Sequence, residues 1–259
     1  MGGDLSGKVA IVLGASTADG MGQAIARRLA DEGAKVVISG RNEEGLRKIS
    51  GEIDGSFCVA DITQEAQIAH LVEHTTSTFG ALHIAVNAAG VSGRVRFKDL
   101  TEEHLLAMAK MHFVGPALFI KHVAEAIAEG GAIVNISTLA AYDTMLGISA
   151  YAASKRAGDR MVQAAAVEYR AKRLRINSVI PSLVPTPLSR RGISEFGMDP
   201  VEFEQTYADL TPLGRVARPE DIASYVYTLV RDEFFETGQL LHCSGGNSLL
   251  GTPRYFNRR

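Results

Sequence analysis

Cysteine is scarce: Cys58 and Cys243 are the only two in 259 residues. One possible pair in a chain of this size argues against a disulfide-stapled secreted scaffold and predicts two reduced thiols in a cytoplasmic protein. Long apolar runs are missing too. None reaches the ~18 residues that span a bilayer, and the N-terminus has neither the basic nor the apolar region of a signal peptide. Met1-Gly2 followed by Ser6 formally matches a myristoylation pattern. Ser6-Gly7-Lys8, however, reads as the turn feeding a first strand, so no membrane attachment is expected. Neither charge is in excess: 27 Lys and Arg face 29 Asp and Glu, a formal net charge of -2, which argues against nucleic acid as a partner. Linkers, repeats and low-complexity tracts do not occur either, so residues 1–259 are expected to form a single domain.

What the chain does have is an alternation. Lys8 to Leu13 is a short apolar run ending at Gly14, the pattern of a strand buried on both faces. From Gly22 to Glu32, Ile25 and Leu29 fall four apart with Ala26 and Ala30 beside them, and Gly33 supplies the stop of a helix. Strand and helix then alternate: a strand at Lys35 to Ser39, a helix from about Glu43, a strand at Ser56 to Ala60, a helix over 64–79, a strand at Leu82 to Asn87, and a long helical stretch over 101–128. A strand at Ala132 to Ile136, a helix over 150–172 and a strand at Arg175 to Ile180 follow. Pro181, Pro185 and Pro187 open an irregular or partly helical excursion over 182–209. A helix near Pro219 and a strand at Gln239 to Cys243 close the chain. Parallel strands need crossover connections, so this order predicts an α/β fold with one doubly wound parallel sheet and helices on both faces.

Gly14, Gly20 and Gly22 punctuate the turn between the first strand and the first helix, where such a fold binds a pyrophosphate against the helix N-terminus. At the end of the second strand stands Arg41. A carboxylate there suits the ribose of NAD, whereas a guanidinium can pair with the 2′-phosphate of NADP, so NADP is favoured and NAD stays open. Tyr151 and Lys155 are four apart on a helix and share a face. A phenol ionises near pH ~10, and an adjacent ammonium would lower that value toward a working acid-base group. Asn87-Ala88-Ala89-Gly90, Asn135 to Thr138 and Pro181-Ser182 end the fourth, fifth and sixth strands, and the C-terminal strand ends of an open parallel sheet line its ligand crevice.

With these segments in view, the sequence closely resembles the classical short-chain dehydrogenase/reductase family over essentially its whole length. The likeness rests on the Gly14 to Gly22 turn, Asp61-Ile62, the NAAG at 87–90, the YAASK at 151–155, the Pro181 to Pro187 run and the TGQLLHCSGG at 237–246. It implies a Rossmann-like fold, Tyr151 as acid-base, and Lys155 on the nicotinamide ribose. It places Asp61 and Ile62 at adenine, Asn87, Ala88, Ala89 and Gly90 at the adenosine ribose, and Pro181, Val184 and Thr186 near the nicotinamide. It also implies a homotetramer, or a dimer through the helices near 101–128 and 150–172. No metal is called for.

Three departures stand out. Five residues, rather than the family's three, separate Gly14 from Gly20, which bears on pyrophosphate contacts by Ser16, Thr17 and Met21. The substrate-orienting serine is replaced by Thr138, with Ser137 adjacent. The family's water-holding asparagine, three residues before a glycine, is replaced by His112, ahead of Gly115. His112 either passes a proton near neutral pH or fills space in the core.

The excursion at about 183–209 is expected to be the substrate lid. Leu183, Leu188, Phe196, Met198 and Phe203, with Tyr142, Met145 and Leu146 from the loop after the fifth strand, offer an apolar surface. Arg94, Arg96, Arg190 and Arg191 are expected to be solvated, although they could meet an anionic tail. The expected partner is a small carbonyl or alcohol. Rival readings are a cofactor-binding sensor or scaffold without turnover, and enoyl reduction, against which the Tyr151 to Lys155 spacing argues.

Overall fold

The structure is a computed structural model that describes residues 3–250, so the Met1-Gly2 pattern lies outside the described residues. Strands β1 (Val9–Leu13), β2 (Lys35–Gly40), β3 (Ser56–Val59), β4 (Ile84–Asn87), β5 (Ala132–Ile136), β6 (Arg175–Pro181) and β7 (Leu240–Cys243) form one sheet in the order β3-β2-β1-β4-β5-β6-β7. Every adjacent pair is parallel. The doubly wound, Rossmann-like expectation is therefore met.

Two helix layers follow from the period-two alternation of side chains along each strand. Ala10, Val12, Val36, Ile38, Val134 and Ile136 face one core. That core is closed by α1 (Met21–Asp31), α2 (Glu43–Glu52) and α9 (Pro219–Val230). Ile11, Leu13, Val37, Ala85 and Ile133 face the other, closed by α3 (Glu65–Phe79), α5 (Gly115–Ala126) and α6 (Ser149–Glu168). Burial on both faces is why these strands read as continuous apolar runs. Among the described residues no helix is long and apolar enough to cross a membrane.

Two expectations need correction. The helical stretch over 101–128 is α4 (Glu102–Ala109) joined to α5 through a single π turn at Lys110–Val114. Pro116 explains the break. It has no N–H for the His112 carbonyl one turn back, so the ladder shifts, and the Gly115 N–H donates to the Lys110 oxygen five residues away. Second, the excursion after β6 is partly helical, one of its two expected forms, and Pro187, expected to break regular structure, starts a helix, while Pro185 lies in an irregular segment. Pro187 and Pro200 sit in the first turns of α7 (Pro187–Glu195) and α8 (Pro200–Asp209), where a missing N–H costs nothing. Thr186 caps α7 by accepting from the Ser189 N–H at 3.2 Å, and Asp199 caps α8. Arg190 Nε and Nη2 grip Glu204 at 2.8 and 3.1 Å and tie the two helices together.

Candidate active site

The site lies along the C-terminal edge of the sheet, where Leu13, Asn87, Asn135 and Ser178 stand in register across β1, β4, β5 and β6. Asn87 is buried in this row. Its Nδ2 donates to Asn135 Oδ1 at 2.8 Å and its Oδ1 accepts from the Ala89 N–H at 3.1 Å. It therefore braces the edge from below, while Ala88, Ala89 and Gly90 reach the cleft wall.

One cleft, about 750 Å³ out to its mouth, runs over the β1–α1 turn. Gly14 adopts φ +94°, and a Cβ on Gly22 would collide with the Gly14 carbonyl, so both glycines are required for helix and strand to approach this closely. Despite the longer turn, Ser16, Thr17, Gly20, Met21 and Gly22 all line the wall. The N-terminus of α1 has no side-chain cap and no acid in its first turn, leaving its N–H groups and dipole for an anion. These features fit a dinucleotide pyrophosphate. Farther along, Arg41, Asp61 and Ile62 line the same cleft. Arg41 is exposed, its Nη1 3.9 Å from Asp61 Oδ2, while Asp61 Oδ1 accepts from the N–H and hydroxyl of Thr63. Met111, from the π turn, also lines it; no sequence signal pointed there.

A second cleft, about 960 Å³ out to its mouth, meets the first at Met21, Thr186 and Leu188. Tyr151 and Thr138 share its wall. Burial pushes the Tyr151 phenol up to about 12, opposed by a hydrogen bond to the Thr138 side chain and by the charge of Arg94. The expected lowering by Lys155 is not seen here. Lys155 is buried, its Nζ donates to the Ile136 carbonyl at 2.8 Å, and burial brings its own pKa down to about 8, with Asp159 opposing. Pro181, Val184 and Thr186 line this second cleft as well, and Thr186 touches both.

His112 is 1% exposed, with its ring edge-on to Tyr151 at 5.0 Å between centroids. Nε2 lies 3.1 Å from the Val91 carbonyl, which assigns the proton to Nε2 and leaves Nδ1 an acceptor. Burial, then the charge of Lys155, hold its pKa down to about 2. The ring therefore stays neutral, which supports the space-filling reading of His112 and leaves Nδ1 as a buried acceptor beside Tyr151.

Asp159, one turn beyond Lys155, was not singled out from the sequence. It is 1% exposed and its Oδ2 accepts from Ser137 Oγ at 2.7 Å and Tyr142 Oη at 2.9 Å. Ser137 is thereby engaged, which leaves Thr138 as the hydroxyl beside Tyr151. The apolar expectations divide. Leu183, Leu188, Met145 and Phe203 line the second cleft, Met198 packs under α7 and α8, and Leu146 is exposed. Arg190 and Arg191 pair with Glu204 and Glu195 at the surface. Arg94, expected to be solvated, is instead part of the second cleft's wall.

A glycine-lined dinucleotide cleft opening into an apolar cleft with a phenol on its wall defines an oxidoreductase of the doubly wound, dinucleotide-binding class. Comparison with known proteins agrees. The family model described as enoyl-(acyl carrier protein) reductase matches residues 14–248. A cyclohexanol dehydrogenase of Acinetobacter sp. (strain SE19) is 34% identical, over 92% of this chain and 94% of its own. A 7alpha-hydroxysteroid dehydrogenase of Clostridium sardiniense is 31% identical over 97% of each chain. The solved structure of a short-chain type dehydrogenase/reductase from Mycobacterium ulcerans superposes with a TM-score of 0.88 at 30% identity, covering 98% of this chain and 94% of that one. The chain belongs to the short-chain dehydrogenase/reductase family. It is an oxidoreductase acting on alcohol or ketone groups of small molecules with NAD or NADP.

Proposed function

We propose that this enzyme interconverts a ketone and a secondary alcohol using NADP(H), with Tyr151 as the acid-base residue. The observation that carries this reading is the placement of the Tyr151 phenol and the Thr138 hydroxyl on one wall of a cleft that opens into the dinucleotide cleft. When bound, the nicotinamide supplies or takes up the hydride. Tyr151 gives its proton to the carbonyl oxygen in reduction and recovers it in oxidation, while Thr138 donates a hydrogen bond that holds that oxygen. Lys155 keeps a positive charge one turn behind the phenol and reaches the nicotinamide ribose. His112 stays neutral, steadies the Tyr151 ring and presents Nδ1 as an acceptor.

Ser16, Thr17, Gly20 and Met21 hold the pyrophosphate at the α1 N-terminus. Asp61, Ile62 and the Ala88 to Gly90 segment enclose the adenosine. Val184 and Thr186 meet the nicotinamide amide beside Pro181. Arg41, exposed at the mouth, pairs with a 2′-phosphate. Residues 1–259 act as one catalytic unit with 183–209 as the lid, and copies associate in a reduced, cytoplasmic setting.

Because two of the relatives named above are by name dehydrogenases of cyclic alcohols, cyclic ketones are the first substrates to try. A spectrophotometric screen of NADPH and NADH against cyclic ketones and alcohols is expected to find turnover that Tyr151→Phe abolishes while NADPH still binds. Full activity in that variant defeats the proposal. Arg41→Ala is expected to weaken NADPH at least tenfold more than NADH; equal weakening removes the NADP assignment.

A further inference from the structure

Arg94 differs from every other residue on the substrate cleft: among the described residues lining it, Arg94 is the one with a charged side chain. The rest of the wall is mainly apolar, with a few hydroxyls. Arg94 belongs to the Val91–Arg94 loop that follows β4 and packs against the lid, where Ser92 closely approaches Gly192. Its guanidinium lies over the rings of Phe196 and Phe203, at 5.5 and 5.8 Å from their centroids. These rings come from the end of α7 and from α8, so the charge is held in place by the same segment that closes the cleft. Burial pushes the phenols of Tyr151 and Tyr207 up, and the charge of Arg94 opposes that rise in both, so its field reaches both tyrosines of the cavity. Arg96, exposed next to it, lies 6.0 Å from the Phe196 centroid and adds a second positive charge at the rim.

A guanidinium does not lose its proton in a protein, so burial leaves this charge intact. Its planar fork of N–H donors matches a carboxylate in two-point contact, and a dry, apolar wall strengthens the attraction over its value in water. A neutral ketone gains nothing from such a group. We propose that the substrate is a keto acid, or the corresponding hydroxy acid, whose carboxylate is held by Arg94 while its carbonyl or hydroxyl faces Tyr151 and Thr138. This rests on the hydride-transfer reading above and narrows it from ketones in general to anionic ones.

The test compares levulinate and 3-oxocyclohexanecarboxylate with their methyl esters, using NADPH and the wild-type enzyme, Arg94→Met and Arg94→Lys. Methionine is chosen to keep apolar packing against Phe196 and Phe203 without the charge. Wild type is expected to prefer acid over ester at least tenfold in kcat/KM for one of the two pairs. That ratio is expected to fall at least tenfold in Arg94→Met and to recover in part in Arg94→Lys. Equal or higher kcat/KM for both esters in wild type overturns the proposal while leaving hydride transfer standing, as does a ratio unchanged by Arg94→Met. If neither acids nor esters turn over, hydride transfer on these ketones fails, and calorimetric binding to the NADPH-bound enzyme decides the anion site. There, tighter binding of acid than ester that disappears in Arg94→Met supports it, and equal binding refutes it.

Discussion

His112 is the residue whose environment differs most from what its ordinary chemistry suggests. Free imidazole titrates near pH ~6.5, yet this one is held at about 2 by burial and by Lys155. The folded pKa lies below the unfolded one, so the unfolded chain binds a proton that the folded chain refuses. The sign follows: the contribution is fully present above about pH 6.5 and is lost as pH falls below it. Between pH 7 and pH 5 the loss from this residue is about 2 kcal/mol. Urea unfolding of His112→Gln at both pH values is expected to show less acid destabilisation than wild type by about that amount; the same drop in both proteins contradicts the assignment. The phenol next to it makes a second case. With Tyr151 pushed up to about 12 and Thr138 the first influence opposing that rise, the acid-base role proposed for Tyr151 predicts that alcohol oxidation climbs with pH, since only the phenolate can take up the proton. Thr138→Val removes a lowering influence, raises the phenol pKa and moves that rising limb to higher pH, with oxidation at neutral pH down at least tenfold. A rising limb that stays in place would deny Thr138 its role. Neither value was legible in the sequence: residue spacing showed that Tyr151 and Lys155 share a face, but not that the Lys155 ammonium turns to the Ile136 carbonyl.

At the scale of the element, the alternation of apolar runs and helical periods located every strand and most helices, because burial on both sheet faces leaves a strong signature. The failures came from proline, whose effect depends on where in a turn it falls. Pro187 and Pro200 occupy first turns, where no N–H is needed, whereas Pro116 stands where the His112 carbonyl would look for a donor. The π turn that results brings Met111 to the dinucleotide cleft and His112 against Tyr151. Pro116→Ala restores the missing N–H and lets α4 and α5 run on as one regular helix, which turns preceding side chains by roughly 100° per residue of slippage. The expected result is a kcat at least tenfold lower with thermal stability unchanged or higher. Wild-type kcat would show that the π turn does not position the site. Thr186 makes a related point, since its hydroxyl caps α7 and its side chain borders both clefts. Thr186→Val should cost about 1 kcal/mol of stability and raise KM for the cofactor; an unchanged melting curve would show the cap to be idle.

For the molecule as a whole, the doubly wound parallel sheet and the position of the crevice were readable because right-handed parallel crossovers leave few topologies open. What a single chain's pattern could not show is which outer surface stays wet. A helix facing another copy carries the same apolar stripe as one facing its own core. Leu105 and Leu106 on α4, Val114 in the π turn, and Met161 and Val167 on α6 are all large apolar side chains left exposed, Leu106 at 62% and Val167 at 63%. α4 packs beside α6, so these side chains fall on one side of the molecule, whereas both cores proper are closed. Scattered exposed leucines call for no explanation, but a group on two neighbouring helices is what the proposed association of copies would bury. A twofold axis along these helices would pair α4 and α6 with their counterparts in a four-helix arrangement that buries the stripe on both copies at once. Sedimentation velocity at micromolar concentration is expected to show two or four chains, and Leu106→Glu combined with Val167→Glu to shift the population toward single chains. A wild-type protein that sediments as one chain would leave these leucines without a partner and refute the assignment. Because α6 carries Tyr151 and Lys155, the double variant is also expected to lower the melting temperature of the site-bearing helix layer, read by hydrogen exchange along 149–168.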